Sequence, residues 1–110
     1  MLKLEIKLIA KTSDEVSLNI QDLYTNLDSI FNRYNFQSEI LNDGTHCYYG
    51  NGNPRDYGIF GFIITSLKNK NWFIDHASKW LWYNSDDSDS EDDFAIEDVL
   101  YHYTHRKSVA

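Results

Sequence analysis

Eight of the fifteen residues from 84 to 98 are acidic (Asp86, Asp87, Asp89, Glu91, Asp92, Asp93, Glu97 and Asp98), and none is basic. From Ser85 to Asp93 there is no apolar residue, and like charges repel along the run, so this stretch is expected to be a solvated connection, 85–93, rather than part of a core. The fold must therefore be built from what lies on either side. Residues 1–83 carry nine acids against eight bases and residues 99–110 carry two bases and no acid, so nearly all of the net charge of -7 is one local patch. A patch of this kind repels nucleic acid and membrane surfaces and attracts a cationic partner.

The remainder has enough apolar material for one domain. With 110 residues, 42% of them hydrophobic and 15% aromatic, a single α+β domain spanning 1–110 is expected, without help from metals or disulfides. Cys47 stands alone and cannot close an intramolecular bridge. No charged region followed by an apolar stretch and cleavage site marks the chain for export, and a cytoplasmic location is the expectation. The longest apolar runs, Ile59 to Leu67 and Trp72 to Tyr83, are too short or too interrupted to cross a bilayer.

Periodicity supplies the elements. Leu2, Leu4, Ile6 and Leu8 alternate with Lys3, Glu5 and Lys7, the pattern of a strand with one buried and one wet face. Thr12 and Glu15 have capping-box spacing, and Val16, Ile20, Leu23, Tyr24, Leu27, Ile30, Phe31 and Tyr34 then recur at three and four residues, which predicts a helix over about 14–34. Phe36–Leu41 and Thr45–Tyr49 flank Asn42-Asp43-Gly44 and read as a hairpin. After the breaker cluster from Gly50 to Pro54, the aromatic and β-branched run Tyr57–Ser66 predicts a central strand, with Gly58 and Gly61 marking a bulge or a close approach. Trp72, Phe73, His76, Ala77, Trp80 and Leu81 share a face at helical spacing and predict a helix over about 70–83, with Trp82 opposite Trp80. A last helix starts near Phe94, capped by Asp92 or Asp93 and closed by Arg106 and Lys107. The expected order is β-α-β-β-β-α-α, an antiparallel sheet of about four strands with helices packed on it and the acidic segment between two helices.

Catalytic and metal constellations are poorly supported. His102 and His105, with Asp98 four residues before the first, would share one helix face, but histidines at a helix C-terminus are more often simple partners of the helix dipole, and no His-Glu-x-x-His or paired Cys spacing accompanies them. His46 and Cys47 are neighbours in a strand, where adjacent side chains point to opposite faces, so their adjacency is no sign of a nucleophile and base. Asp87, Asp89 and Glu91 fit the first, third and fifth positions of a calcium loop, but the sixth is Asp92 where glycine is required. No phosphate-cradling loop and no basic groove for nucleic acid is present. No catalytic residue, metal ligand or cofactor is assigned, and the chain is not expected to be an enzyme.

Binding is the better-supported expectation. Trp80, Trp82 and Tyr83 precede the acidic run and Tyr101 and Tyr103 follow it, and aromatics beside carboxylates are what a tight protein interface uses. With residues 80–98 (Trp-Leu-Trp-Tyr-Asn-Ser-Asp-Asp-Ser-Asp-Ser-Glu-Asp-Asp-Phe-Ala-Ile-Glu-Asp) in view, the chain resembles the small acidic immunity proteins of bacterial toxin/immunity pairs. The likeness is to those of contact-dependent growth inhibition and of nuclease bacteriocins, and it lies in size, charge layout and compartment. It implies a monomeric, one-to-one inhibitor of a basic toxin domain, commonly a nuclease, acting at the active cleft or an adjacent exosite. The partner-binding residues expected are Asp86, Asp87, Asp89, Glu91, Asp92, Asp93, Glu97 and Asp98, with Trp82, Tyr83 and Tyr101 as anchors. A DNA-mimic inhibitor is the alternative in binding, although its acids would be spread at phosphate spacing; a small enzyme using His46, His102 or His105 is the alternative in chemistry.

Overall fold

A computed structural model describes residues 2–9, 17–84 and 95–105. Strand β1 (Leu2–Leu8) is the middle of a five-stranded sheet, because it pairs with a strand on each side and buries Leu2, Leu4, Ile6 and Leu8 against the helices. Helix α1 (Ser17–Asn32) follows, and the hairpin of β2 (Gln37–Ile40) and β3 (His46–Tyr49) turns at Gly44, whose φ of 88° is left-handed. Helices α2 (Asp56–Lys68) and α3 (Asn71–Ile74) lead to the long strand β4 (Ala77–Asn84), then β5 (Ala95–Asp98) and helix α4 (Val99–His105). The sheet order is β2-β3-β1-β4-β5, and all four pairings are antiparallel.

The α+β class, the antiparallel sheet, β1, α1 and the β2–β3 hairpin follow the sequence expectation. The second half of the chain does not, and the order is β-α-β-β-α-α-β-β-α. Tyr57–Ser66 is helical: Phe60, Ile63 and Leu67 recur at three and four residues and are the buried face of α2. Gly58 and Gly61 mark neither a bulge nor a close approach, since a Cβ on either would meet nothing within 4 Å. The stretch expected as a helix over 70–83 is the single turn of α3 followed by β4, in which Trp80 and Trp82 share a face instead of opposing each other. Residues 95–98, expected within the last helix, are strand β5, and α4 is capped by Asp98, whose Oδ1 accepts the Tyr101 N–H at 3.0 Å, rather than by Asp92 or Asp93. The Thr12–Glu15 capping box, Arg106 and Lys107 lie outside the described residues.

The core lies between the sheet and its helices. From the sheet come the β1 leucines, Ile6, Tyr48 and Trp80; from the helices come Leu27, Phe31, Phe60, Ile63, Leu67 and Phe73. Aromatic rings order the layer, with Phe31 stacked on Tyr48 at 3.9 Å, Phe36 on Phe60 at 4.5 Å, and Phe73 edge-on to Trp80 at 4.7 Å. Tyr24 of α1 ties the layers together: its hydroxyl accepts the Leu8 N–H at 2.8 Å while its ring stacks on His46 at 3.7 Å. On the opposite face of the sheet Lys3, Glu5 and Lys7 of β1 meet Cys47 and Tyr49 of β3 and Lys79, Leu81 and Tyr83 of β4. Glu5, expected to be wet, is only 6% exposed, because the central strand is flanked by long side chains and Lys3 and Lys79 close over its carboxylate at 3.5 and 3.2 Å.

Candidate functional site

The corner where β4 ends and β5 begins carries most of the expected site. Asn84 is paired with Ala95 across the antiparallel ladder, so residues 85–94 leave the sheet and rejoin it at neighbouring points. The acidic run thus connects two paired strands, where two helices were expected. Asp86, Asp87, Asp89, Glu91, Asp92 and Asp93 lie outside the described residues.

Around this corner the structure sorts the remaining candidates by face. Trp82 points to the helix layer, half-buried, with its ring 5.0 Å from Phe60 and 6.3 Å edge-on from Tyr57. Tyr83, the next residue, points to the other face, where the Lys3 ammonium sits 4.5 Å from its ring centroid. Burial and the nearby Glu5 carboxylate raise the Tyr83 phenol above its ordinary range, so the ring is a neutral donor and apolar surface at any physiological pH. Glu97 is opposite Trp82 on edge strand β5 and is exposed. Asp98 is also exposed but is engaged as the α4 cap, which makes it part of the fold's own hydrogen bonding. Tyr101 is 62% exposed on α4 and borders a cavity of about 390 Å³ shared with Lys79, Leu81, Asp98 and Thr104. Trp82 and Tyr83 therefore serve opposite sides of the sheet, and a partner that meets both sides reaches around edge strand β5.

Two residues absent from the sequence expectation sit here. Tyr57 is 58% exposed in the first turn of α2, against the edge of Trp82, and Ile96 is 58% exposed on β5 directly opposite Tyr83. Neither stood out in the sequence. Tyr57 looked like one more member of an apolar strand and Ile96 like one position of a helical face; only the pairing of β4 with β5 and the helical state of α2 expose them. The approach to α2 is fixed by Asp56, a buried carboxylate whose Oδ2 accepts the N–H groups of Asn51 at 2.6 Å and Asn53 at 3.1 Å. That clamp folds the Gly50–Pro54 loop back against the start of β1, where the Gly50 N–H donates to the Leu2 carbonyl at 2.9 Å.

His46, His76 and His102 lie on different elements or loops, and the His105 side chain lies outside the described residues. His46 is buried under α1, with Nδ1 3.6 Å from Asp28 Oδ1, and Tyr48 donates to that same oxygen at 2.5 Å. Cys47 faces the other side of the sheet, where burial pushes its thiol up, away from the thiolate form a nucleophile needs. His76 Nδ1 lies 2.9 Å from the Trp72 carbonyl, and the exposed His102 ring is edge-on to Tyr103 at 4.9 Å. Among the described residues no three His, Cys, Asp or Glu side chains come together in a way that could hold a metal ion, and no helix is long and apolar enough to cross a membrane. Comparison with protein-family models, curated proteins and solved structures finds no match to this chain.

Proposed function

We propose that this protein is an immunity-type inhibitor that binds a basic toxin domain, with a nuclease as the leading class, through the β4–β5 corner and the acidic segment joined there. One observation carries the reading. The densest charge in the chain is tethered at both ends to a paired strand terminus that is flanked by the exposed apolar side chains Tyr57 and Ile96 and by half-buried Trp82. Carboxylates held at such a place meet the positive cleft that a nuclease must present to phosphates, and complementary fields of this kind raise association rates by roughly 10- to 1000-fold at low salt. Lasting affinity comes from desolvated anchors, because exposed ion pairs contribute about 0–1 kcal/mol each whereas a packed aromatic at an interface contributes about 2 kcal/mol or more.

The division of labour is tested by binding kinetics against the toxin domain encoded directly upstream, at several salt concentrations. Neutralising Asp86, Asp87, Asp89, Asp92 and Asp93 to Asn slows association and flattens its salt dependence, with little change in dissociation. Tyr57→Ala and Ile96→Ala do the reverse, speeding dissociation by an order of magnitude or more for a true anchor, at about tenfold per 1.4 kcal/mol. Both exposed sites are better probes than Trp82, whose removal also strips packing from Phe60. Growth rescue of toxin-producing cells is the functional counterpart. Association indifferent to salt and to the acid substitutions would refute the reading.

A further inference from the structure

The helical layer carries a groove of opposite electrical character to the acidic corner. It lies between α1 and α2, measures about 290 Å³, and is lined by Ile30, Arg33 and Tyr34 on one side and by Phe62, Lys70 and Trp72 on the other. Two cations and no carboxylate line it, in a chain whose net charge is -7. Neither Arg33 nor Lys70 has a carboxylate partner among the described residues, so no ion pair within the described fold neutralises the charge at the groove's wall. Between them Phe62 is 65% exposed on the outer side of α2, a position where a helix packed on a sheet ordinarily carries a polar residue. Closing the ends of two helices accounts for the positions of the two cations, but not for an exposed phenylalanine beside a half-buried tryptophan and tyrosine.

We propose that this groove docks an acidic amphipathic segment of a partner protein, with an aliphatic or aromatic side chain seated against Phe62 and Trp72 and carboxylates placed on Arg33 and Lys70. Charge complementarity selects the sign of the occupant, and the apolar floor selects a peptide over a bare anion, which would gain nothing from the rings. The site stands apart from the acidic corner and does not depend on the function proposed for that corner. Helix α2 starts at the corner with Tyr57 and walls the groove with its second half, through Phe62 and Ser66.

The probe is a labelled synthetic peptide built from Glu, Leu and Phe in helical spacing, compared with its Gln-for-Glu counterpart by fluorescence anisotropy on the full chain at physiological salt. The Glu peptide binds saturably, and the Gln peptide binds about tenfold or more weakly. Arg33→Glu combined with Lys70→Glu, and separately Phe62→Ser, each weaken the Glu peptide by about tenfold or more, while thermal unfolding midpoints stay near that of the parent because Arg33 and Phe62 are exposed. Absence of binding by the Glu peptide, equal binding by the charge-reversed variant, or tighter binding of a single-stranded oligonucleotide lost in the same variants would overturn the proposal.

Discussion

Asp56 is the residue on which the corner turns. Its carboxylate is buried, accepts two backbone N–H groups from the loop before α2, and sits in the first turn of that helix, where negative charge is favoured. Asp56→Ala leaves both donors without their acceptor, at a cost of about 1–3 kcal/mol, read as a lower denaturant midpoint with an unchanged slope. Gly50 belongs to the same arrangement: a Cβ there would lie 3.1 Å from Asp56 Oδ2 and 3.5 Å from Leu2, so Gly50→Ala pushes on the carboxylate and acts in the same direction. Tyr48 makes a prediction in pH. Burial first, and then its hydrogen bond to Asp28, raise the phenol well above the ordinary tyrosine value of 10.0, and burial raises Tyr24 as well. A raised acid favours the folded state fully below its unfolded pKa, and that stability is lost as pH climbs above about 10, at up to roughly 1.4 kcal/mol per pH unit for each group. Denaturation midpoints measured through the alkaline range should fall, and Tyr48→Phe should reduce the steepness of that fall while costing about 1–2 kcal/mol at neutral pH through the lost hydrogen bond.

At the scale of elements, α2 and β4 exchange the roles their sequences suggest. The run Tyr57–Ser66 is rich in strand-favouring residues, and Trp72–Leu81 places its aromatics at helical spacing, yet the first is a helix and the second half of the other is a strand. Both patterns admit two periods over so short a window, since Phe60, Ile63 and Leu67 satisfy the helix while Trp80, Trp82 and Asn84 satisfy the strand. The helical state makes a direct prediction at Gly61, which lies inside α2, is exposed, and has open space around its missing Cβ. Gly61→Ala should stabilise the protein by about 0.5–1 kcal/mol and raise the melting temperature by a few degrees, an outcome opposite to that expected if this glycine relieved crowding in a strand. By contrast β1, α1 and the β2–β3 hairpin were legible from sequence, because each shows a single period and its own turn or alternation signal. Of the site, the acidic run and Trp82 and Tyr83 were legible as residue types, whereas Tyr57 and Ile96 were not, because their exposure depends on which strand pairs with which.

For the whole molecule, the chain joins its acidic run at the β4–β5 corner and carries a groove lined by Arg33 and Lys70 on the helical layer. Because Asn84 and Ala95 are paired by the ladder itself, the closure of the sheet is set by β4 and β5 and not by the composition of what joins them. Replacing residues 85–91 with Gly and Ser at unchanged length should therefore shift the thermal midpoint little, with relief of like-charge repulsion offsetting the added chain freedom, while association with the proposed basic partner slows. Thermal unfolding of the substituted chain checks the first part; a large loss would give the acidic run a structural role. What the sequence determined by itself is local: a strand alternating over seven residues, an amphipathic helix, a glycine turn, and a charge run that no core can admit. What tertiary structure alone decided is the state of residues 57–84 and the composition of the corner. The reason is that β1 offers a ladder from Leu2 to Leu8, interrupted once between Lys7 and Leu8, and Ala77–Asn84 can take it only as a strand, leaving Phe60, Ile63 and Leu67 to cover the buried face as a helix; that choice is made by pairing across some seventy-five residues of chain, which no local period records.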